Sequence, residues 1–237
     1  MLRSIKRLYK DKLGALDGDI GHVKDFYFDD RNWGVRYVVA DTGSWLTGRQ
    51  VLISPLSLGR LAPAGKVLRA NLTRKQIEDS PSIESHKTVS RQYEEEYHQY
   101  YGWPYYWQGD ALWGMSGVPI LTMPAHPLPI PPADARAPQT ENADAHLRST
   151  QAVHGYHLKT SDGTIGHVCD FMMDDQTWAI GQLVIKTGHR LSGREVQIPT
   201  DKIDRISYDE STVFVDLTSE AVEQSPAHYM PALAAVD

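Results

Sequence analysis

One pattern of residues occurs twice in this chain, always 145 positions apart. Residues 17–23 read DGDIGHV, and residues 162–168 read DGTIGHV. From 17–81 against 162–226, 65 positions align without a gap and 25 of them are identical. Repetition at a fixed offset indicates one structural unit present in two copies, which is too few for a solenoid. The sequence therefore predicts two similar small units.

Each copy has the pattern of a β-rich unit with one closing helix. In the first copy, the turn-forming residues 29–32 separate two strand-like runs, which predicts a hairpin. Thr73 and Gln76 have the spacing of a capping box, and Pro81 ends the helix that they begin. Strands followed by one helix favour a small β-barrel in each copy. The predicted strands of the first copy are 20–28, 33–40, 51–53, 56–61 and 67–72, and the hairpin strands of the second are 168–173 and 178–185.

The second strand of the hairpin is apolar on both faces. Trp33, Tyr37 and Val39 alternate with Val38 and Ala40, so neither face is clearly polar. A domain of this size buries only about 60% of its unfolded surface and needs further cover. We expect the outer face to pack against the other copy in the same chain or against a second chain in a homodimer.

The repeated motifs resemble those of the PRC-barrel family. The pattern D-G-x-I-G-x-V-x-D-F is present at 17–26 and 162–171, and G-R-x-V-x-I is present at 48–53 and 193–198. This family is named for the photosynthetic reaction centre H subunit, whose cytoplasmic domain is such a barrel. It also includes the C-terminal domain of a ribosome-maturation factor. The resemblance implies a mainly β chain with two PRC-type barrels in tandem.

The same resemblance implies a function without catalysis. It implies a module that binds other proteins, as yet unidentified, and helps to assemble or tune a complex. Two alternatives remain: an accessory of membrane photosynthetic or electron-transfer machinery, and a ribosome-maturation or RNA-linked factor. A formal charge of −6 argues against a general binder of nucleic acid, which needs clustered Lys and Arg.

Few residues are candidates for a catalytic or metal-binding site. His22 and Asp25, like their counterparts His167 and Asp170, lie three apart and point to opposite faces of a regular strand, so we interpret them as polar strand positions near a turn rather than metal ligands. The acidic pairs at 29–30 and 174–175 are typical turn residues. The single cysteine, Cys169, is predicted to be a small buried strand residue. The sequence predicts no catalytic site, metal or cofactor.

The ends and the middle of the chain give no membrane-spanning signal. The basic stretch 1–12 is followed by no apolar run, and the uncharged stretch 111–133 contains six prolines, which exclude a helix. We expect a soluble, cytoplasmic protein without a transmembrane segment. The basic stretch is either a solvated face or a peripheral contact with anionic lipid.

An aromatic segment separates the two copies. Its predicted helix carries a stripe of tyrosines, with three glutamates elsewhere on the helix, and ends at Gly102 and Pro104. The rings either cover the two copies as an intrachain clasp or form a docking surface. The stripe is Tyr93, Tyr97, Tyr100 and Tyr101, and the hypothesised partner-binding residues are Tyr97, Tyr101, Trp103, Tyr105, Tyr106 and Trp107.

These patterns divide the chain into three parts. Residues 1–85 form the first predicted barrel domain, and residues 151–237 form the second. Residues 86–150 contain the aromatic helix and then a Pro- and Ala-rich stretch that reads as a linker.

Overall fold

The predicted mainly β architecture is confirmed. The computed structural model describes residues 1–46, 48–59, 67–81, 91–105, 146–188 and 193–228, which form two sheets and a few short helices. We refer to residues 1–81 as unit 1, to residues 146–228 as unit 2, and to residues 91–105 as the clasp. Most of the predicted Pro- and Ala-rich linker lies outside the described residues. Its last residues, 147–150, are not linker, because they form a strand and the start of a helix of unit 2.

The elements of the two units follow the same order at the same offset, except for β12 of unit 2, whose matching residues in unit 1 lie partly outside the described residues. Those of unit 1 are β1 (Leu2–Ser4), α1 (Ile5–Leu8), β2 (Lys12–Gly14), β3 (Asp19–Asp29), β4 (Val35–Asp41), β5 (Gln50–Ile53), a 3-10 turn (Pro55–Ser57), β6 (Val67–Arg69) and α2 (Arg74–Glu78). The clasp contains α3 (Arg91–Tyr101). Those of unit 2 are β7 (Leu147–Ser149), α4 (Thr150–Val153), β8 (His157–Thr160), β9 (Gly163–Asp174), β10 (Ile180–Lys186), β11 (Glu195–Pro199), a 3-10 turn (Thr200–Lys202), β12 (Ile203–Ser207), β13 (Thr212–Val215) and α5 (Ser219–Glu223).

Each sheet takes one strand from the other unit. The strand order in unit 1 is β5-β4-β3-β2-β6, and β7 of unit 2 pairs antiparallel with β3. The order in unit 2 is β11-β10-β9-β8-β13-β12, and β1 of unit 1 pairs antiparallel with β9. The two units therefore exchange their first strands reciprocally.

The two hairpins meet back to back, which places the predicted cover within one chain. Trp33 and Trp178 both adopt φ 59, so they leave the strand geometry that the sequence predicted for them. The Val35 amide donates to the Trp178 carbonyl at 2.9 Å, and the Ile180 amide donates to the Trp33 carbonyl at 2.8 Å. Phe28 and Phe171 lie 5.6 Å apart between ring centroids, and one continuous apolar core joins both units.

The recurring motif residues hold each unit together. Asp17 accepts from the Arg74 amide at 2.7 Å, and the matching Asp162 accepts from the Ser219 amide at 2.8 Å, so each aspartate caps a closing helix. A Cβ added to Gly166 would lie 2.1 Å from the Lys186 carbonyl oxygen, so this position needs glycine.

The later part of unit 1 agrees with the sequence prediction in its helix and differs in its strands. The predicted capping box of Thr73 and Gln76 is confirmed. Residues 55–57, however, lie in a 3-10 turn, where 56–61 was predicted to be a strand. The reason is local, because the Ser54 side chain accepts from the Leu56 amide and Pro55 supplies a helical φ at the first position.

Candidate interaction site

Two buried aspartates hold the exchanged strands in place. Asp25 on β3 accepts from the Ser149 hydroxyl at 2.5 Å and from the Thr150 hydroxyl at 2.9 Å. On the other side of the interface, Asp170 on β9 accepts from the Ser4 hydroxyl at 2.5 Å. Asp25 is 8% exposed and Asp170 is 3% exposed. Each carboxylate thus ties the first strand of the other unit to its own hairpin.

The same carboxylates also cap the helices that follow the exchanged strands. The Gln151 amide of α4 donates to Asp25 at 3.1 Å, and the Lys6 amide of α1 donates to Asp170 at 3.0 Å. An acidic group at a helix N-terminus is stabilised by the unpaired amides and by the helix dipole. Burial raises the pKa of the Asp25 carboxyl, while the hydrogen bonds from Ser149 and Thr150 act in the opposite direction.

The second acidic residue of each hairpin turn binds an arginine of the exchanged strand. Asp30 accepts from Arg148 Nε at 2.5 Å, and Asp175 accepts from Arg3 Nε at 2.8 Å. The guanidinium of Arg148 also lies over the Tyr208 ring at 4.8 Å. The acidic pairs lie where the strands end and the hairpin turns begin, and their second members, Asp30 and Asp175, also bind the other unit.

Asp25 and Asp170 lie within strands, as predicted, and His22 is exposed while Asp25 is buried. The sequence did not indicate that both aspartates are buried at the interface between the units. Register shifts lie beside them, in β3 between Val23 and Asp25 and in β9 near residues 168–170. The missed signal was Leu-Arg-Ser, which occurs at 2–4 and again at 147–149 with the same offset as the repeat.

The clasp docks on unit 1 through a buried polar cluster. Tyr37 on β4 donates to Glu94 Oε1 at 2.9 Å and lies 2.8 Å from His98 Nε2. His98 Nδ1 lies 2.8 Å from the Pro104 carbonyl oxygen. Tyr37, Glu94 and His98 are at most 1% exposed. The helix α3 therefore buries a polar face as well as an aromatic one.

Hydrogen bonding to a backbone carbonyl assigns the proton of one His98 ring nitrogen. The Pro104 carbonyl can only accept, so His98 Nδ1 carries a proton. The Tyr37 hydroxyl lies within hydrogen-bond distance of both Glu94 Oε1 and His98 Nε2, so it links the two side chains of the helix.

The tyrosine stripe did not indicate that Glu94 is buried. The predicted helix itself is confirmed over Arg91–Tyr101. Glu94, Tyr97 and His98 are buried, whereas Glu96 is exposed. Tyrosine spacing alone did not reveal this, because the partner of Glu94 is Tyr37 on a distant strand.

The hypothesised partner-binding residues divide into interior and outer groups. Tyr97 is fully buried and donates to the Pro81 carbonyl at 2.6 Å, and Trp103 donates to the Ser57 hydroxyl at 2.8 Å. Tyr101 stacks on Trp103 with 4.3 Å between centroids, and Tyr105 stacks on His98 with 5.7 Å between centroids. Both are half-buried, and Tyr100 is 40% exposed. Tyr106 and Trp107 lie outside the described residues.

The remaining chemical candidates occupy structural positions. Cys169 is buried in β9, as predicted, and burial raises the pKa of its thiol to about 12. Among the described residues, no group of three or more His, Cys, Asp or Glu side chains is arranged to hold a metal ion. Within the same part of the chain, no helix is both long enough and apolar enough to cross a membrane.

Comparison with known families identifies part of the chain. The PRC-barrel domain matches residues 159–222, which extend from β8 into α5 of unit 2. Unit 2 therefore contains a PRC-barrel domain. A comparison with curated proteins gives no match.

Proposed function

We propose that this chain is a tandem pair of PRC-type units that acts without catalysis as a protein-interaction and assembly module. The equivalent element order of the units supports the tandem arrangement. The observation that carries the function is how the recurring polar side chains are used. Asp17, Asp25 and their counterparts Asp162 and Asp170 cap helices or bind exchanged strands inside the chain.

The proposed partner surface is the outer edge of the clasp. Tyr100 and Tyr105 lie there, and Tyr106 and Trp107 follow directly in sequence. Tyrosine and tryptophan combine a large apolar area with a polar tip, which suits them to protein interfaces. Tyr97 and Trp103 contribute indirectly, because their buried hydrogen bonds hold the clasp on unit 1. The clasp is thus proposed to be both an intrachain cover and a platform.

The test is affinity capture from the native cell with quantitative mass spectrometry at low and high salt. The baits are the wild-type chain, a variant with Tyr105, Tyr106 and Trp107 changed to Ala, and a Tyr208→Ala control. Tyr208 is also 40% exposed but belongs to unit 2. We expect the triple variant to capture at least about tenfold less partner than the wild-type chain, because removal of a central aromatic cluster weakens a protein interface by that much or more.

Unchanged capture by a folded triple variant would refute the proposed surface. The identity of the partner separates the alternatives. Recovery of membrane electron-transfer proteins would favour an accessory role there, and recovery of ribosomal particles would favour a ribosome-linked role.

A further inference from the structure

The interface between the units is built from two equivalent halves. Each half contains an exchanged strand, a buried aspartate that binds a serine, and an outer aspartate that binds an arginine. In one half these are β7, Asp25 with Ser149, and Asp30 with Arg148. In the other they are β1, Asp170 with Ser4, and Asp175 with Arg3. Such an arrangement has the self-complementary form of an interface between two subunits.

Each exchanged strand is continuous with its own unit. β7 runs directly into α4, and β1 runs directly into α1, so the strand and the unit move together when partners change. The contacts described above join residues 1–81 to residues 146–228. The same contacts would form between unit 1 of one chain and unit 2 of another chain, because none of these contacts involves the residues that connect the two units.

We propose that unit 1 of one copy of this chain binds unit 2 of a second copy through these contacts, which gives a closed dimer by exchange of whole units. Because the two units belong to one polypeptide, each meets its intrachain partner at an effective concentration on the order of 1 mM, so the single chain dominates in dilute solution. The dimer becomes the main species when the contacts between unit 1 and unit 2 of the same chain are weakened and those between units of two different chains are kept. This second interaction surface is independent of the clasp surface proposed above.

Charge reversal at Asp30 and Arg148 tests this directly. The Asp30→Arg variant places an arginine opposite Arg148, and the Arg148→Asp variant places an aspartate opposite Asp30, so each variant alone is mismatched within its chain and between its own copies. When the two variants are mixed, a dimer of one chain of each has two matched pairs. Unit 1 of the Asp30→Arg chain meets unit 2 of the Arg148→Asp chain in a reversed pair, and the other two units meet in the native Asp30 and Arg148 pair. The chain with both changes is the control, because its intrachain pair is matched again.

One variant is labelled with nitrogen-15, and the two are unfolded together in urea and refolded. Native mass spectrometry then counts two-chain species with one heavy and one light chain. We expect at least about tenfold more of this species than of any two-chain species in either variant alone, which corresponds to about 1.4 kcal/mol. The double variant is expected to remain a single chain at the same concentration.

The inference is overturned if the co-refolded mixture holds no more two-chain species than the separate variants do. If neither variant folds alone, tryptophan fluorescence after mixing decides the question. Recovery of the wild-type spectrum on mixing supports exchange, and failure to recover, with a folded double variant, overturns it. Neither result depends on Tyr105, Tyr106 or Trp107, so the test is separate from that of the clasp.

Discussion

Removal of one hydroxyl group at the interface measures how strongly the units hold each other. In the Ser149→Ala variant, Asp25 loses the hydroxyl that donates to it at 2.5 Å, and the Ala152 amide loses its capping oxygen at 3.0 Å. A hydrogen bond to a charged group contributes about 1.5–3 kcal/mol, and an N-cap contributes about 1 kcal/mol. We expect the free energy of unfolding to fall by about 2.5–4 kcal/mol, the two contributions together.

A matched variant separates the two contributions. Thr218 caps α5 through a hydrogen bond from the Ala221 amide at 3.2 Å and lies far in sequence from the exchanged strands. Thr218→Ala should therefore cost about 1 kcal/mol, the N-cap contribution alone. The difference between the two variants is the contribution of the bond to Asp25. Ser4→Ala should resemble Ser149→Ala, because Ser4 binds Asp170 and caps α1 in the same way.

Urea denaturation followed by circular dichroism and tryptophan fluorescence provides the assay. The slope of the unfolding free energy against urea concentration must be the same in all variants for their stabilities to be compared. If Ser149→Ala loses no more stability than Thr218→Ala, the buried carboxylate does not hold the exchanged strand, and the account of the interface given above is refuted.

Three further predictions concern Gly166, Cys169 and Asp25. Gly166→Ala should destabilise the fold by about 3 kcal/mol or more, measured by thermal denaturation, since φ is +71 there and the new Cβ would overlap the Lys186 carbonyl; an unchanged Tm would contradict this. Cys169 should react with a disulfide reagent at about pH 8 at least about a hundredfold more slowly in the folded chain than in denaturant, because burial raises its pKa; equal rates would contradict this. Burial also raises the pKa of Asp25 above its ordinary 3.8, which means that the folded chain holds the proton of this carboxyl more tightly than the unfolded chain does. The stability that this difference gives is fully present below pH 3.8 and is lost as the pH rises through the folded-state pKa. The stability of the wild type relative to Asp25→Asn should therefore fall with rising pH in urea titrations, and a rise would contradict the burial argument.

The sequence predicted the local structure well where local rules decide it. The turn at 29–32, the capping box at Thr73 and the helix of the clasp depend on residues close together in the chain, and all three are present in the structure. The 3-10 turn at Pro55–Ser57 was missed because a short apolar run does not distinguish a strand from a tight turn. A serine before a proline was the available signal.

The site was harder to predict because its partners are distant. The burial of Asp25 depends on Ser149, Thr150 and Gln151, which are more than a hundred residues away. The burial of Glu94 depends on Tyr37 in the same way. No local periodicity contains this information, and only the second Leu-Arg-Ser at 147–149 hinted that the repeated unit begins earlier than residue 17.

Joining two copies in one polypeptide gives evolution a freedom that identical subunits lack. In a dimer of one gene product, any substitution appears on both sides at once. Here Tyr37 meets Glu94 and His98, while the matching position holds Gln182, and Lys24 is matched by Cys169. One unit thus carries the side chain that receives the helix of the clasp, while the matching position of the other unit holds a different residue.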